Sequence, residues 1–291
     1  MSERKKSRLA LIGLVAVAVI GSAAFYLSRS GETSASEALD KARASQKLQS
    51  LAELNGKAPN HRKLDVQTWN TAEGTRVLFV EAHELPMFDM RLIFAAGSSQ
   101  DGDAPGLALL TNAMLNEGVA GKDVGAIAQG FEGLGADFSN GAYKDMAIAS
   151  LRSLSARDKR EPALQLFAEV IGQPTFPADS LDRIKNQMLA GFEYQKQNPG
   201  KLASLELMSR LYGDHPYAHS SDGTAKSVPA ITAAQLRAFH QKAYAAGNVV
   251  IALVGDLSRA EAEAIAAQVS NALPKGPALP KIAQPVEPKA S

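Results

Sequence analysis

Cysteine is absent from this sequence, and tryptophan occurs once. Without thiols the chain can form no disulfide, hold no cysteine-ligated metal and use no cysteine nucleophile. An excess of charge is lacking too, because 31 Lys and Arg residues against 30 Asp and Glu residues leave a net charge of +1. No basic stripe interleaved with aromatic residues occurs, so nucleic acid is not an expected partner. The 45% of hydrophobic residues is enough for a packed core.

A long uncharged run lies close to the N-terminus. Residues 9–27 are mostly apolar and follow a basic stub, residues 1–8. A helix needs about 20 apolar residues to cross a bilayer, and a positive flank stays in the cytoplasm. We therefore expect a single-pass inner-membrane anchor with the remainder of the chain in a bacterial periplasm. A cleaved signal peptide is the alternative, because small residues occur at 21–24; the run exceeds the usual apolar region of about 7–15 residues, which favours the anchor.

The remainder predicts one domain between two segments of biased composition. Residues 28–64 read as a helical spacer or linker, and the Pro- and Lys-rich residues 274–291 as a linker. Residues 65–273 mix strands and helices, which predicts an α+β fold with helices covering a sheet. The predicted strands are Val66–Trp69, Thr75–Val80, Met87–Ala95, a pair within Ala136–Ser153 that turns at Gly141, and Asn248–Val254. The predicted helices begin near Pro105 and cover Val124–Leu134, Glu161–Ile171, Ala178–Gln195, Lys201–Tyr212, Thr232–Tyr244 and Arg259–Leu273.

The stretch Pro105–Gly118, PGLALLTNAMLNEG, is the most informative of these elements. A turn leads into an amphipathic helix whose apolar residues Leu107, Leu110 and Met114 recur at steps of three and four. The strand MRLIFAAGSSQDG precedes it and the segment EGLGADFSNGAYKDMAIASLRSL follows it. Together they resemble the N-terminal domain of the pitrilysin-like zinc peptidases, the M16 family. Later landmarks in the same order are YGDHPY from Tyr212, DGT from Asp222, IT from Ile231, FH from Phe239, Tyr244 and NVVIALVGD from Asn248.

The zinc motif of that family is degenerate in this chain. The family helix reads GLAHFLEHMLFxGT, which places Leu109 at the first histidine, Asn112 at the general-base glutamate and Ala113 at the second histidine. The third ligand, a glutamate on a later helix, falls at about Gly191. Histidines four apart can bind one Zn²⁺, whereas Leu and Ala carry no donor atom, and an amide cannot take a proton from water. We therefore expect no zinc and no hydrolysis by the isolated chain.

The resemblance also implies a partner and a peptide-binding strand. Active members pair two such domains, and the second commonly carries an Arg/Tyr pair that helps to bind substrate. The family's substrate is added as a β-strand to an edge strand that corresponds here to Ala136, Asp137, Phe138, Ser139, Asn140 and Gly141. Main-chain pairing of this kind does not need the catalytic side chains. A partner domain covering that edge is the alternative.

Three functions remain open at this stage. The leading hypothesis is a membrane-anchored, non-catalytic subunit that pairs with a zinc-bearing M16 homologue or a second M16-like domain. The second is a peptide-binding or scaffold module without a peptidase partner. The third is a zinc peptidase with rearranged ligands, for which His215 and His219 are the candidates, although Pro216 makes their segment a loop.

The remaining polar motifs are expected to have no catalytic role. Glu117, at the end of the degenerate helix, is expected to be exposed, and so are His83 and Glu84 at a strand end. Gly130–Gly135 imitates a glycine-rich loop but lies at a helix C-terminus, where no amides face a phosphate. Ser155, Ser220 and Ser221 have no demonstrable His and Asp partners.

Overall fold

The computed structural model describes residues 64–285, so the predicted stub, anchor and most of the spacer lie outside the described part, as do residues 286–291. The strands are β1 Gln67–Asn70, β2 Arg76–Glu81, β3 Met87–Phe94, β4 Gly118–Val119, β5 Lys122–Asp123, β6 Asp137–Ala142, β7 Ala147–Leu154 and β8 Val249–Gly255. The helices are α1 Leu107–Ala113, α2 Val124–Glu132, α3 Arg157–Gly172, α4 Ala178–Gln195, α5 Pro199–Tyr212, α6 Ser227–Ala230, α7 Ala233–Ala243 and α8 Arg259–Ala272.

Six strands form one mixed sheet in the order β1-β2-β8-β3-β7-β6. β2 and β8 run parallel, and the other neighbours are antiparallel. Residues of β3 and β7 alternate between buried and more exposed positions, because successive side chains point to opposite faces of a strand. The α+β fold with helices covering a sheet is confirmed.

The buried face of the sheet carries the core. Met90 of β3 pairs with Leu253 of β8 and Leu151 of β7, and all three side chains are buried. α1 and α3 pack against β7, and α8 packs against β2, so the helices cover this face. Burying this much apolar surface is the main favourable term in folding. The opposite face carries exposed polar pairs such as Arg152 and Asp89, joined at 2.8 Å.

Most predicted element bounds agree with the structure within two residues, with two differences. The turn between β6 and β7 lies at residues 143–146 and not at Gly141, because the Tyr143 amide donates to the Met146 carbonyl at 2.8 Å. α3 begins at Arg157, four residues before the predicted start at Glu161. An i,i+4 ion pair between these two residues, at 2.5 Å, supports the additional turn.

The C-terminal segment corrects the prediction of a linker from Pro274. The Pro274 carbonyl accepts from the Ala246 amide at 2.9 Å, and the Leu279 amide donates to Asn248 Oδ1 at 2.9 Å. The Leu279 side chain packs against the core. Proline and lysine content alone does not reveal these contacts, because the partners lie in a distant stretch of sequence. Residues 274–283 are therefore part of the domain.

Among residues 64–285, no helix combines the length and the apolar composition that crossing a membrane requires.

Candidate functional site

α1 begins at a tightly bonded turn. The buried Asp101 carboxylate accepts from the Gly106 amide at 2.8 Å and from the Ala108 amide at 2.7 Å, which satisfies two free donors at the helix start. Gly106 has a φ of 96°, a left-handed conformation that favours glycine. The turn from Asp101 to Gly106 therefore fixes the residue at which α1 starts. It also sets the face of α1 that meets the sheet.

The positions that match the zinc ligands carry no donor atoms. Leu109 and Ala113 lie four residues apart on one half-buried face of α1. Gly191 lies on α4, which contacts α1, and a side chain added there would meet no atom within 4 Å. Hydrocarbon and hydrogen cannot coordinate Zn²⁺, so these residues do not fit the family's zinc ion. Within the described part of the chain, no three His, Cys, Asp or Glu side chains are grouped so as to hold a metal.

Asn112, at the general-base position, points into the core and is 2% exposed. Its Nδ2 donates to the Tyr244 hydroxyl oxygen at 3.1 Å and to the Ile148 carbonyl at 3.2 Å. The main-chain carbonyl of Asn112 accepts from Asn140 Nδ2 at 2.6 Å. The residue therefore ties α1 to β6, to β7 and to the chain after α7.

An aromatic cluster holds Tyr244 in place behind α1. Its ring lies 4.6 Å from that of Phe94 and is stacked at 5.2 Å on His240. Complete burial raises the pKa of Tyr244, because the phenolate would have no water around it. His240 Nε2 lies 2.8 Å from the Ile171 carbonyl, and burial lowers the pKa of this imidazole. In the sequence, His240 and Tyr244 serve only as landmarks of the family resemblance, because the residues that they contact lie far away in the chain.

Glu117 corrects a prediction, because it is buried and not exposed. Its carboxylate pairs with the Arg183 guanidinium of α4. The hydrogen bond to Glu117 raises the pKa of Arg183. Sequence reasoning expected a solvated acid at a helix end, and it missed the cation because 66 residues separate the two. The acid nearest the degenerate site is therefore bound to a structural partner.

β6 forms an edge of the six-stranded sheet and includes five of the six residues in the predicted peptide-binding strand. Tyr143 and Met146 form a hydrogen-bonded pair, so the alternation of an antiparallel ladder turns the main-chain groups of Phe138, Asn140 and Ala142 away from β7. The ring of Phe138 is stacked at 5.5 Å on Phe131, which fixes the strand to the core. Among the described residues no strand pairs with this outer side.

The family profile described as Insulinase (Peptidase family M16) matches residues 76–225, and that described as Peptidase M16 inactive domain matches residues 230–291. The chain belongs to peptidase family M16. This finding confirms the resemblance carried by the zinc-helix stretch and the later landmarks.

Several M16 relatives show how much of the protein is shared. A Helicobacter pylori protein named non-peptidase homolog YmxG is 29% identical over 205 residues, which are 69% of this chain and 46% of that protein. A crystal structure titled peptidase M16 inactive domain, from Pseudomonas fluorescens, is 87% identical with a TM-score of 0.77 and covers 78% of this chain and 55% of that one. The periplasmic protease PqqL from Escherichia coli shares the fold, with 20% identity and a TM-score of 0.67 over 77% of this chain and 26% of that one. The chain spans about half the length of the curated relatives it matches.

The other candidate residues of this M16 chain do not converge. His215 Nε2 lies 2.8 Å from the Ala283 carbonyl, whereas His219 Nε2 lies 3.0 Å from the Ser98 carbonyl. His83 is exposed as predicted, but its Nδ1 lies 2.6 Å from Asp256, whose other oxygen accepts from Ser155 Oγ at 2.5 Å. The Asp256 hydrogen bond raises the pKa of His83. Ser155 therefore binds a carboxylate, and within residues 64–285 no histidine is hydrogen-bonded to it.

A cavity of about 380 Å³ lies between α5 and the loop 217–222 and reaches Lys144 in the β6–β7 turn. No sequence pattern indicates this cavity. Its walls come from three separate stretches of the M16 domain, so only the tertiary fold forms it.

Proposed function

We propose that this chain is a membrane-anchored, non-catalytic M16 subunit. It pairs with a zinc-bearing M16 homologue, or with a second M16-like domain, in peptide or protein processing in the bacterial periplasm. The observation that carries the non-catalytic role is the inward-directed amide of Asn112, bonded to Tyr244 and Ile148 where the family has its general base. An amide has no proton-accepting group for water activation. The names of the Helicobacter and Pseudomonas relatives, non-peptidase homolog and inactive domain, support the same role.

The exposed apolar face of α5 supports pairing with a partner. None of the 14 residues of this helix is buried. We define the α5 patch as Leu207, Met208 and Leu211, which are 59%, 42% and 45% exposed and adjacent on the helix. Contiguous exposed apolar side chains are typical of interaction sites. The Helicobacter pylori and Rickettsia felis relatives are about twice as long as the stretch that they share with this chain. We propose a second M16-like half of similar length as the partner.

The test is co-purification of the full-length chain from membranes of its host. We expect a homologue with an intact His-x-x-Glu-His motif to co-purify with the wild-type chain, and chelator-sensitive peptide hydrolysis to occur only in the complex. Leu207→Glu should reduce the recovery of that homologue. Ser209→Glu adds the same charge on the other side of α5 and should leave recovery unchanged. Recovery of no further M16 domain, either on a separate protein or on the same polypeptide, would overturn the proposal. So would hydrolysis of peptides by the chain alone with bound zinc.

A partner-free peptide-binding module is the second candidate function, and the open edge of β6 favours it. The outward main-chain groups of Phe138, Asn140 and Ala142 can pair with an extended peptide without any catalytic residue. An adjacent gene for an intact zinc-bearing homologue would favour pairing. Peptide capture by the chain alone, with no M16 protein in the complex, would favour the module.

A further inference from the structure

The cavity beside α5 has one preformed apolar wall. Leu205 and Met208 of α5 line it together with Tyr212 and Tyr217. The Tyr217 hydroxyl donates to Asp145 Oδ2 at 2.8 Å, and its ring packs edge-on against Tyr212 at 5.5 Å. Because these contacts fix the aromatic rings, an apolar side chain can enter without first ordering the wall.

Two ammonium groups lie at the polar side of the same cavity, on Lys144 and Lys201. Lys144 Nζ donates to the His219 carbonyl at 2.7 Å, and the ion pairs among residues 64–285 do not include it. Partial burial lowers the pKa of Lys144, although nearby carboxylates oppose this. Lys201 Nζ lies 3.4 Å from Asp222 Oδ2. Asp101, Asp145 and Asp222 lie near enough to act on the Lys144 ammonium, and this group can still donate a charge-assisted hydrogen bond to a further anionic acceptor.

One lining residue of the cavity, Lys144, comes just after the open edge strand. Ala142 ends β6, and Lys144 follows it by two residues in the β6–β7 turn. The main-chain groups of Ala142 are the last of β6 to face outward. A peptide paired with this edge and continuing in the direction of Ala142 therefore arrives beside Lys144.

We infer that this cavity binds the end of an extended peptide that is paired with β6. An apolar side chain of the peptide contacts Leu205, Met208 and the two tyrosines, and a carboxylate of the peptide binds Lys144. The carboxylate is either the peptide C-terminus or an acidic side chain at the same place. This inference rests on peptide binding at β6, and the experiment separates the two.

The experiment is affinity capture on the full-length chain in detergent, with a pooled library of random eight-residue peptides. Half of the pool has free C-termini and half has amidated C-termini, and retained peptides are sequenced by mass spectrometry. We expect apolar residues near one end, with a carboxylate beside them, to be enriched about tenfold, the effect of one charge-assisted hydrogen bond. Enrichment of the free pool identifies the C-terminus as the source. Enrichment of terminal Glu or Asp in the amidated pool identifies a side chain.

Three variants locate the effect, each with a matched control. Lys144→Ala should abolish the preference for carboxylates, whereas Lys242→Ala removes an exposed lysine outside the cavity and should retain it. Ser204→Trp fills the cavity from α5 and should abolish the apolar preference, whereas Ala203→Trp, one helical step away, should not. Asn140→Pro removes an outward amide of β6 and should reduce capture of every peptide, whereas Asn140→Ala, which keeps the amide and loses the same side-chain bond to the Asn112 carbonyl, should not.

The outcomes distinguish the two proposals. Suppose that Asn140→Pro reduces capture, but the captured peptides show no preference at either end and Lys144→Ala changes nothing. Peptide binding at β6 would then stand, and the cavity inference would be overturned. If the wild-type chain captures no more peptide than the Asn140→Pro variant does, both peptide binding at β6 and the cavity inference are overturned. Circular dichroism of each variant checks that the fold is intact.

Discussion

The side-chain amide of Asn112 donates to the Tyr244 hydroxyl oxygen over 3.1 Å, although 132 residues separate the two in sequence. The position that the resemblance matches to the family's general base is thus occupied by a buried donor that joins α1 to the segment after α7. Its contribution is to stability, and this can be measured apart from any enzymatic assay.

Asn112→Asp should lower the free energy of unfolding by about 1–3 kcal/mol at pH 8. The new carboxylate is buried and faces the Ile148 carbonyl, to which it cannot donate. Its folded pKa is raised, so the loss should shrink as the pH falls and the protonated acid regains a donor. Urea unfolding at several pH values measures the effect. Asn116→Asp, half-buried three residues after α1, is the control, and an equal loss there would contradict the explanation.

The combined variant Leu109→His, Ala113→His and Gly191→Glu should retain stoichiometric zinc after dialysis. Leu109 and Ala113 share one face of α1, and the Gly191 position has space for a side chain. Metal analysis of the purified chain measures retention, and Leu109→His alone is the control, since one ligand does not bind zinc tightly. A folded triple variant without zinc would show that the third position is not residue 191.

Stability should fall as the pH drops below about 6.5 because of His240. Burial lowers its pKa in the folded state, so the unfolded chain binds more protons in that range. The contribution is complete above the unfolded pKa and is lost toward the lower folded pKa, with a slope of up to about 1.4 kcal/mol per pH unit. His240→Gln should flatten the profile in urea unfolding. The pKa of His83 is raised in the folded state, so its contribution to stability is lost as the pH rises. His83→Gln should therefore remove a dependence on pH of the opposite sign.

Truncation after Leu273 should lower the free energy of unfolding by about 2–4 kcal/mol. It removes the acceptor of the Ala246 amide, the donor to Asn248 Oδ1 and the apolar contact of Leu279. Truncation after Pro285 keeps all three and should have little effect. Urea unfolding of the two truncated chains compares them directly, and equal stability would show that residues 274–283 add nothing to the core.

Local patterns predicted the regular elements well. The predicted bounds of α4 are those observed, and β3 differs by one residue, because apolar periodicity and flanking breakers are local signals. The resemblance placed three degenerate positions on α1, at Leu109, Asn112 and Ala113, and a fourth on α4 at about Gly191. The direction of the Asn112 side chain is seen only in the structure, because no local sequence pattern determines it.

Features made by distant residues were not predictable in this way. The burial of Glu117 depends on Arg183 of α4, and the packing of residues 274–283 depends on the stretch before β8. The cavity beside α5 combines residues from a turn, a helix and a loop. Each of these depends on tertiary contacts between segments whose sequences carry no sign of one another.

The open edge of β6 also has a consequence for handling the protein. Unpaired main-chain groups at a sheet edge can pair with another copy of the same strand, which promotes aggregation in concentrated samples. Asp137 provides the single charge within β6, and it lies at the end away from the turn. Ageing of concentrated stocks should therefore begin at this strand, and a lysine introduced at Ser139, on its exposed side, would be the first change for keeping the protein monodisperse.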